Sequence, residues 1–150
     1  MMEINIDDIS KAPIIEESQK SSKETLIAEI QGPSRIVLKE LFKQLEDSQE
    51  HGSPCKEGMI LSQIGDLLEK EGYLHKALAY YQASYRTAEK FQDFDDQGAV
   101  LLRLGSVLLK LGLHEAALDS LQKAHQLYEK FTRQTSNHNN GNHHSEDSKK

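Results

Sequence analysis

LSQIGDLLEKEGYLHKALAYYQASYRTAEKF, residues 61–91, and LLRLGSVLLKLGLHEAALDSLQKAHQLYEKF, residues 101–131, are two versions of one pattern set 40 positions apart. With no gap, 11 of the 31 positions are identical: Leu61/Leu101, Gly65/Gly105, Leu68/Leu108, Lys70/Lys110, Gly72/Gly112, Ala77/Ala117, Leu78/Leu118, Gln82/Gln122, Glu89/Glu129, Lys90/Lys130 and Phe91/Phe131. Ile64/Leu104 and Leu67/Val107 are near-matches. A repeat of this length marks an array of supersecondary units, none large enough to bury its apolar face alone.

Apolar residues in each unit recur at three- and four-residue steps, the period of a helix with one buried face. Gly72 and Gly112 punctuate a tight turn within each unit, so each unit reads as two antiparallel helices. The predicted helices are 55–71, 74–91, 96–111 and 114–133, and the polar segment 92–97 joins the two pairs. Gly65 and Gly105 fall inside helices, where glycine costs about 1 kcal/mol relative to alanine. A close approach of the second helix explains them. Ala77 and Ala117, small and early in that helix, are expected to meet the glycines, with the large Tyr81 and Leu121 filling the seam one turn later.

Outside this block the signals weaken. Residues 1–20 mix isolated apolar residues with Asp, Glu, Ser and Lys, and are expected to form a disordered arm. Ser21 and Glu24 have the spacing of a capping box opening a short helix, which Gly32-Pro33 ends. Val37, Leu38, Leu41, Phe42 and Leu45 predict an amphipathic helix over 34–47. Displaced by 40 positions, Val37, Leu41 and Leu45 fall under Ala77, Tyr81 and Tyr85, so this helix is either a capping helix or the second half of a decayed repeat. Thr25 stands where such a repeat would need its glycine. Ser53-Pro54 has the form of an N-cap followed by proline in the first helical turn. After Phe131 no large apolar residue remains, and 134–150 is expected to be a disordered tail. The fold class is therefore all-α: two helix pairs over 55–133 (units about 58–91 and 98–131), preceded over 21–50 by a short helix and the capping or half-repeat helix.

Leu61, Ile64, Gly65, Leu68, Gly72, Ala77 and Tyr81 resemble the signature of the tetratricopeptide repeat family, and Leu101, Leu104, Gly105, Leu108, Gly112, Ala117, Leu121 and Ala124 resemble it again. Ser84 replaces the later small alanine in the first unit, and neither unit ends in proline. The period of 40 exceeds the family's usual length of about 34 residues, and is similar to that of longer-repeat members such as G-protein-signalling modulators and kinesin light chains. The resemblance covers about half the chain. It implies a short α-solenoid that binds other proteins on a curved surface lined by the first helix of each pair. Some members hold the carboxylate end of a chaperone tail with Asn after the signature glycine. Asp66 and Ser106 stand there instead, which argues against that ligand.

Val100, Leu101, Leu102, Leu104, Val107, Leu108, Leu109 and Leu111 leave the first helix of the second unit apolar almost all round. With Leu101, Leu104 and Leu108 turned to the core, Leu102 and Leu109 form a separate stripe, seven residues apart. Either it receives an amphipathic helix or peptide of a partner, or the capping helix or N-terminal arm covers it. Ser106, Asp66, Lys70, Arg103 and Lys110 are further candidate contacts, the three cations for an acidic partner. An alternative role is structural, with copies stacking through the stripe into a larger helical assembly.

A net charge of -6 and the lack of a basic stripe disfavour nucleic acid. No apolar run reaches bilayer-spanning length, and the acidic N-terminus does not read as a secretory leader. The expectation is an intracellular, cytoplasmic protein without membrane insertion or cofactor. One cysteine, Cys55, excludes an intramolecular disulfide and a thiolate metal cluster. His75 and His114 lack a second ligand at helical spacing, and His125 beside Glu129 suggests a surface pair. His138, His143 and His144 fall in the Asn-rich tail. No phosphate loop, nucleophile elbow or zinc spacing is present, so no enzyme is expected.

Overall fold

The computed structural model describes the backbone of residues 16–143 and side chains over 23–137. Six helices occur among these residues, with no strand: α1 Glu16–Glu29, α2 Pro33–Glu50, α3 Pro54–Lys70, α4 Leu74–Lys90, α5 Phe94–Lys110 and α6 His114–His143. From α2 onward each helix packs on the next, and α3 with α4 and α5 with α6 are the two closest pairs.

The turns keep a strict cadence. Gly32, Gly52, Gly72, Gln92 and Gly112 all have positive φ, and they recur every 20 residues. In the turn after α3 the amide of Tyr73 donates to Leu68 and that of Gly72 to Glu69. The same pair of bonds recurs after α4 (Asp93 to Ala88, Gln92 to Glu89) and after α5 (Leu113 to Leu108, Gly112 to Leu109). These bonds satisfy helix-end carbonyls that would otherwise be orphaned. Gln92 shows that the expected polar joiner over 92–97 is a turn of the same form. Consequently α5 starts at Phe94 rather than at 96, and Asp93 caps it by accepting from the amide of Asp96 at 3.1 Å.

Ser53 occupies the N-cap of α3, but its side chain makes no capping bond, and Pro54 alone fulfils the expected start. Ser21 does not stand at a helix start, since the backbone of α1 is already helical at Glu16. The expected arm and tail fall partly on residues 1–15 and 144–150, outside the described residues. Where described, at 16–20 and 134–143, the backbone is helical.

One core runs through all six helices. Leu26, Ile30, Leu38, Ile64, Leu68, Tyr81, Tyr85, Leu101, Leu104 and Leu108 are among its fully buried side chains. Ala77, Ala117 and Ala124 are also buried. The atoms nearest each glycine belong to the large residue one turn past the alanine, and at Gly105 the Ala117 carbonyl is in contact as well. A Cβ at Gly65 would lie 2.5 Å from Cε1 of Tyr81, and one at Gly105 would lie 2.8 Å from Cδ2 of Leu121, with the Ala117 carbonyl farther off at 3.6 Å. Helical side chains lean toward their own N-terminus, so a residue one turn past the alanine covers the place opposite it. The large residue fills the gap left by glycine.

The α1–α2 pair keeps the repeat spacing but packs differently. Thr25 is exposed, and Val37 is half exposed where Ala77 is buried. The pair is held by Leu26 and Ile30 and by the Arg35 guanidinium, whose Nε lies 2.8 Å from the carbonyls of both Ile27 and Ile30.

Candidate functional site

α3 and α5 are the first helices of the two units, and a polar network joins them along one edge. Asp66 and Glu69 are one turn apart on α3. Arg103, Ser106 and Lys110 are spaced at three and four residues on α5, which puts them on the facing side. Arg103 Nε lies 3.0 Å from Asp66 Oδ1, Lys110 Nζ lies 2.7 Å from Glu69 Oε2, and Ser106 Oγ donates to the same Glu69 oxygen at 3.3 Å. The Tyr81 hydroxyl lies 2.6 Å from Asp66 Oδ1 and 2.9 Å from Glu69 Oε1. Its one proton serves one carboxylate at a time.

The electrostatics follow from this geometry. Burial, then Asp66 and Glu69, push the Tyr81 hydroxyl far above the usual phenol range, so it stays a neutral donor. Burial also pushes the Glu69 carboxyl up, but bonds from Lys110, Tyr81 and Ser106 outweigh it and hold the group below its ordinary value. Exposed ion pairs such as Arg103–Asp66 are worth about 0.2–1 kcal/mol each. The network therefore fixes register between the units more than it adds stability.

Of the seven residues singled out from the sequence, Asp66, Arg103, Ser106 and Lys110 thus meet one another. Lys70 is exposed beside them and, with Val37 and Leu41, borders a shallow groove between α2 and α3. Glu69 was not legible as a site residue: only the approach of α5, about 40 positions away in the chain, makes it the hub of this network. His125 Nε2 does lie 3.5 Å from Glu129 Oε1 as a surface pair. His138, His143 and His144 lie outside the residues whose side chains are described.

Leu102 and Leu109 are 46% and 49% exposed, and nothing among the described residues covers them. The repeat explains why. Asp66 and Glu69 form the edge of α3 that α5 meets, with the buried Ser62 one turn earlier, and a 40-residue displacement turns Ser62, Asp66 and Glu69 into Leu102, Ser106 and Leu109. On the second helices, Leu78 is 8% exposed whereas its counterpart Leu118 is 56% exposed. Tyr85, seven residues after Leu78 on the same edge, is buried with Lys123 Nζ of α6 5.2 Å from its ring centroid. The counterpart of Tyr85 is the exposed His125. Each unit thus presents an inter-unit edge, filled in the first case and open in the second.

The family model for the tetratricopeptide repeat matches residues 57–130. The chain belongs to the tetratricopeptide repeat family. Comparisons with curated proteins and with solved structures return no match. Tetratricopeptide repeats generally mediate protein–protein interaction or assembly, and the family is typically non-catalytic. No described helix of this tetratricopeptide protein is long and apolar enough to cross a membrane.

Proposed function

We propose that this chain is a non-catalytic adaptor or assembly subunit, whose second repeat receives an amphipathic helix of another protein across α5. The helix would lie on α5 as α5 lies on α3. The observation that carries this reading is the unequal fate of equivalent positions, Leu78 and Ser62 covered against Leu118 and Leu102 open. An incoming helix with a small or polar residue where α5 carries Arg103 would meet Ser106, an apolar residue where α5 carries Lys110 would match Leu109, and its preceding turn would reach Leu102. The 40-residue spacing supports a place among the longer-repeat members of the family. A cytoplasmic setting fits the single free cysteine, Cys55.

The test is capture with the intact chain against a Leu102→Asp/Leu109→Asp variant, followed by mapping of the bound segment by hydrogen exchange. The expected result is loss of the partner with the variant, and protection of one helical stretch of that partner and of α5. Undiminished capture by the variant would remove the reading. A second reading has Ile36 and Val37 in its favour, exposed apolar residues on α2 at the other end of the helix order. Copies would then stack end to end. Light scattering over a range of concentrations separates the two, since a molecular mass constant at one chain rules out stacking.

A further inference from the structure

A cavity of about 430 Å³ opens between the start of α3, the end of α4 and the start of α5, away from Leu102 and Leu109. Gly58, Ser62, Ser84 and Ala88 line it, with Cys55 and Asp96 on its border. Its origin lies in the repeat. In the second unit the counterpart of Gly58 is Gly98, and a Cβ there would lie 2.9 Å from Cζ of Tyr128. The ring of Tyr128 therefore occupies the space that the glycine leaves. The counterpart of Tyr128 in the first unit is Ala88, and a Cβ at Gly58 would meet Thr87 no closer than 3.5 Å. The first unit keeps the glycine but lacks the ring that fills the gap.

The wall of this cavity is polar at one place. Ser84 Oγ donates to the Gly58 carbonyl at 2.8 Å and lies 2.8 Å from Ser62 Oγ. With the Ser84 proton committed to that carbonyl, Ser62 is the donor of the pair. The Ser62 oxygen is then left with acceptor capacity and no further donor. Both serines are buried, and their counterparts Leu102 and Ala124 carry no hydroxyl. A ring bearing an O–H fits this wall better than a plain phenyl ring. The α5 side of the rim carries Asp93 and Asp96, Lys56 lies on the α3 side, and Arg103 is engaged with Asp66. Burial and the neighbouring Asp93 and Asp95 raise the Asp96 carboxyl above its ordinary value against a smaller opposing pull from Arg103, a crowding that a further cation would relieve. Met59 and Phe91 in its lining are about half exposed.

The geometry points to a second binding site in which a tyrosine side chain of a partner protein, next to a lysine or arginine, enters the cavity beside Gly58 and Ala88. The ring takes the volume that Tyr128 takes in the second unit. Its hydroxyl donates to Ser62, and the adjoining cation meets Asp93 and Asp96.

The side chain is available as p-cresol, and toluene is the control without the hydroxyl. In a titration followed by amide NMR, p-cresol should shift Gly58, Ser62, Ser84 and Ala88, and toluene should bind about fivefold more weakly, as one neutral hydrogen bond predicts. Ala88→Tyr, which copies the second unit, should abolish both sets of shifts. Should that variant fail to fold, Ser62→Ala decides, because it should erase the preference for p-cresol and leave toluene unchanged. Acetyl-Tyr-Arg-amide should bind more tightly than acetyl-Tyr-Glu-amide, and Asp93→Asn/Asp96→Asn should close that gap. Absence of shifts at these amides, shifts that persist in folded Ala88→Tyr, or a preference for p-cresol that survives Ser62→Ala overturns the site. Equal affinity for the two dipeptides overturns its basic neighbour. Leu102→Asp/Leu109→Asp should leave p-cresol binding intact, so this site and the α5 edge stand or fall separately.

Discussion

Gly65 sets the distance between α3 and α4, and the ring of Tyr81 is the reason it is a glycine. That ring is fully buried, and its hydroxyl is held at Asp66 and Glu69, so it has no room to give way. Gly65→Ala gains helix propensity of about 1 kcal/mol but drives a methyl against the ring at 2.5 Å. The expected net effect is a loss of about 1–3 kcal/mol, read from the urea midpoint. Gln92 presents the opposite case. It holds φ of 53° where the neighbouring turns place glycine, at a steric cost of about 1–2 kcal/mol. Gln92→Gly relieves this and gives back about 0.4–1 kcal/mol through the freer unfolded chain. A gain of roughly 0.5–1 kcal/mol should appear as a raised Tm. The glycines at 65 and 105 were legible as points of close approach, because a mid-helix glycine needs a reason. Which side chain comes nearest was not, since the lean of a side chain along its helix brings Tyr81 and Leu121 closest to the glycines.

At the level of helices, the α3–α5 edge is held by groups that ionise. Glu69 is lowered below its ordinary value in the folded chain, so it contributes stability above the usual glutamate range and loses it as pH falls through the folded value. Glu69→Gln should therefore show a smaller drop in stability than the parent between about pH 5 and about pH 3. Equal slopes in urea titrations at the two pH values would show that Glu69 carries none of the acid sensitivity. The helices themselves were readable from period and punctuation, except at two places. Gln92 lacks the left-handed preference of glycine, which hid the turn before α5. The residues after Phe131 lack apolar periodicity, yet α6 continues through 143, because Thr132 does not supply the turn that glycine makes at 112. That extension is exposed where its side chains are described. A segment of this length has little helical stability without packing, and amides beyond residue 131 should exchange fastest of the described helices.

The main packing runs between neighbours in the helix order, with a few side-chain contacts such as Arg103–Asp66 and Lys123–Tyr85 reaching one helix further, so the array is close to one-dimensional. Damage at one end should stay there. Phe42 is buried in α2, with its ring centroid 6.1 Å from that of Tyr80. Phe42→Ala should cost about 3–5 kcal/mol locally. Hydrogen exchange should then show α1 and α2 losing protection while α3–α6 keep theirs, and uniform loss along the chain would mean a single cooperative unit instead. The same layout accounts for the open edge at Leu102, Leu109 and Leu118, as the second unit has no successor among the described residues. The chain carries its helical class, its 40-residue period and most core positions within short windows of residues, because turn preference and the spacing of apolar side chains act locally. The pairing of Asp66 with Arg103, the role of Glu69 and the empty volume beside Ala88 arise only when one unit lies against another. They depend on how each helix is rotated and spaced, and distant side chains set that jointly.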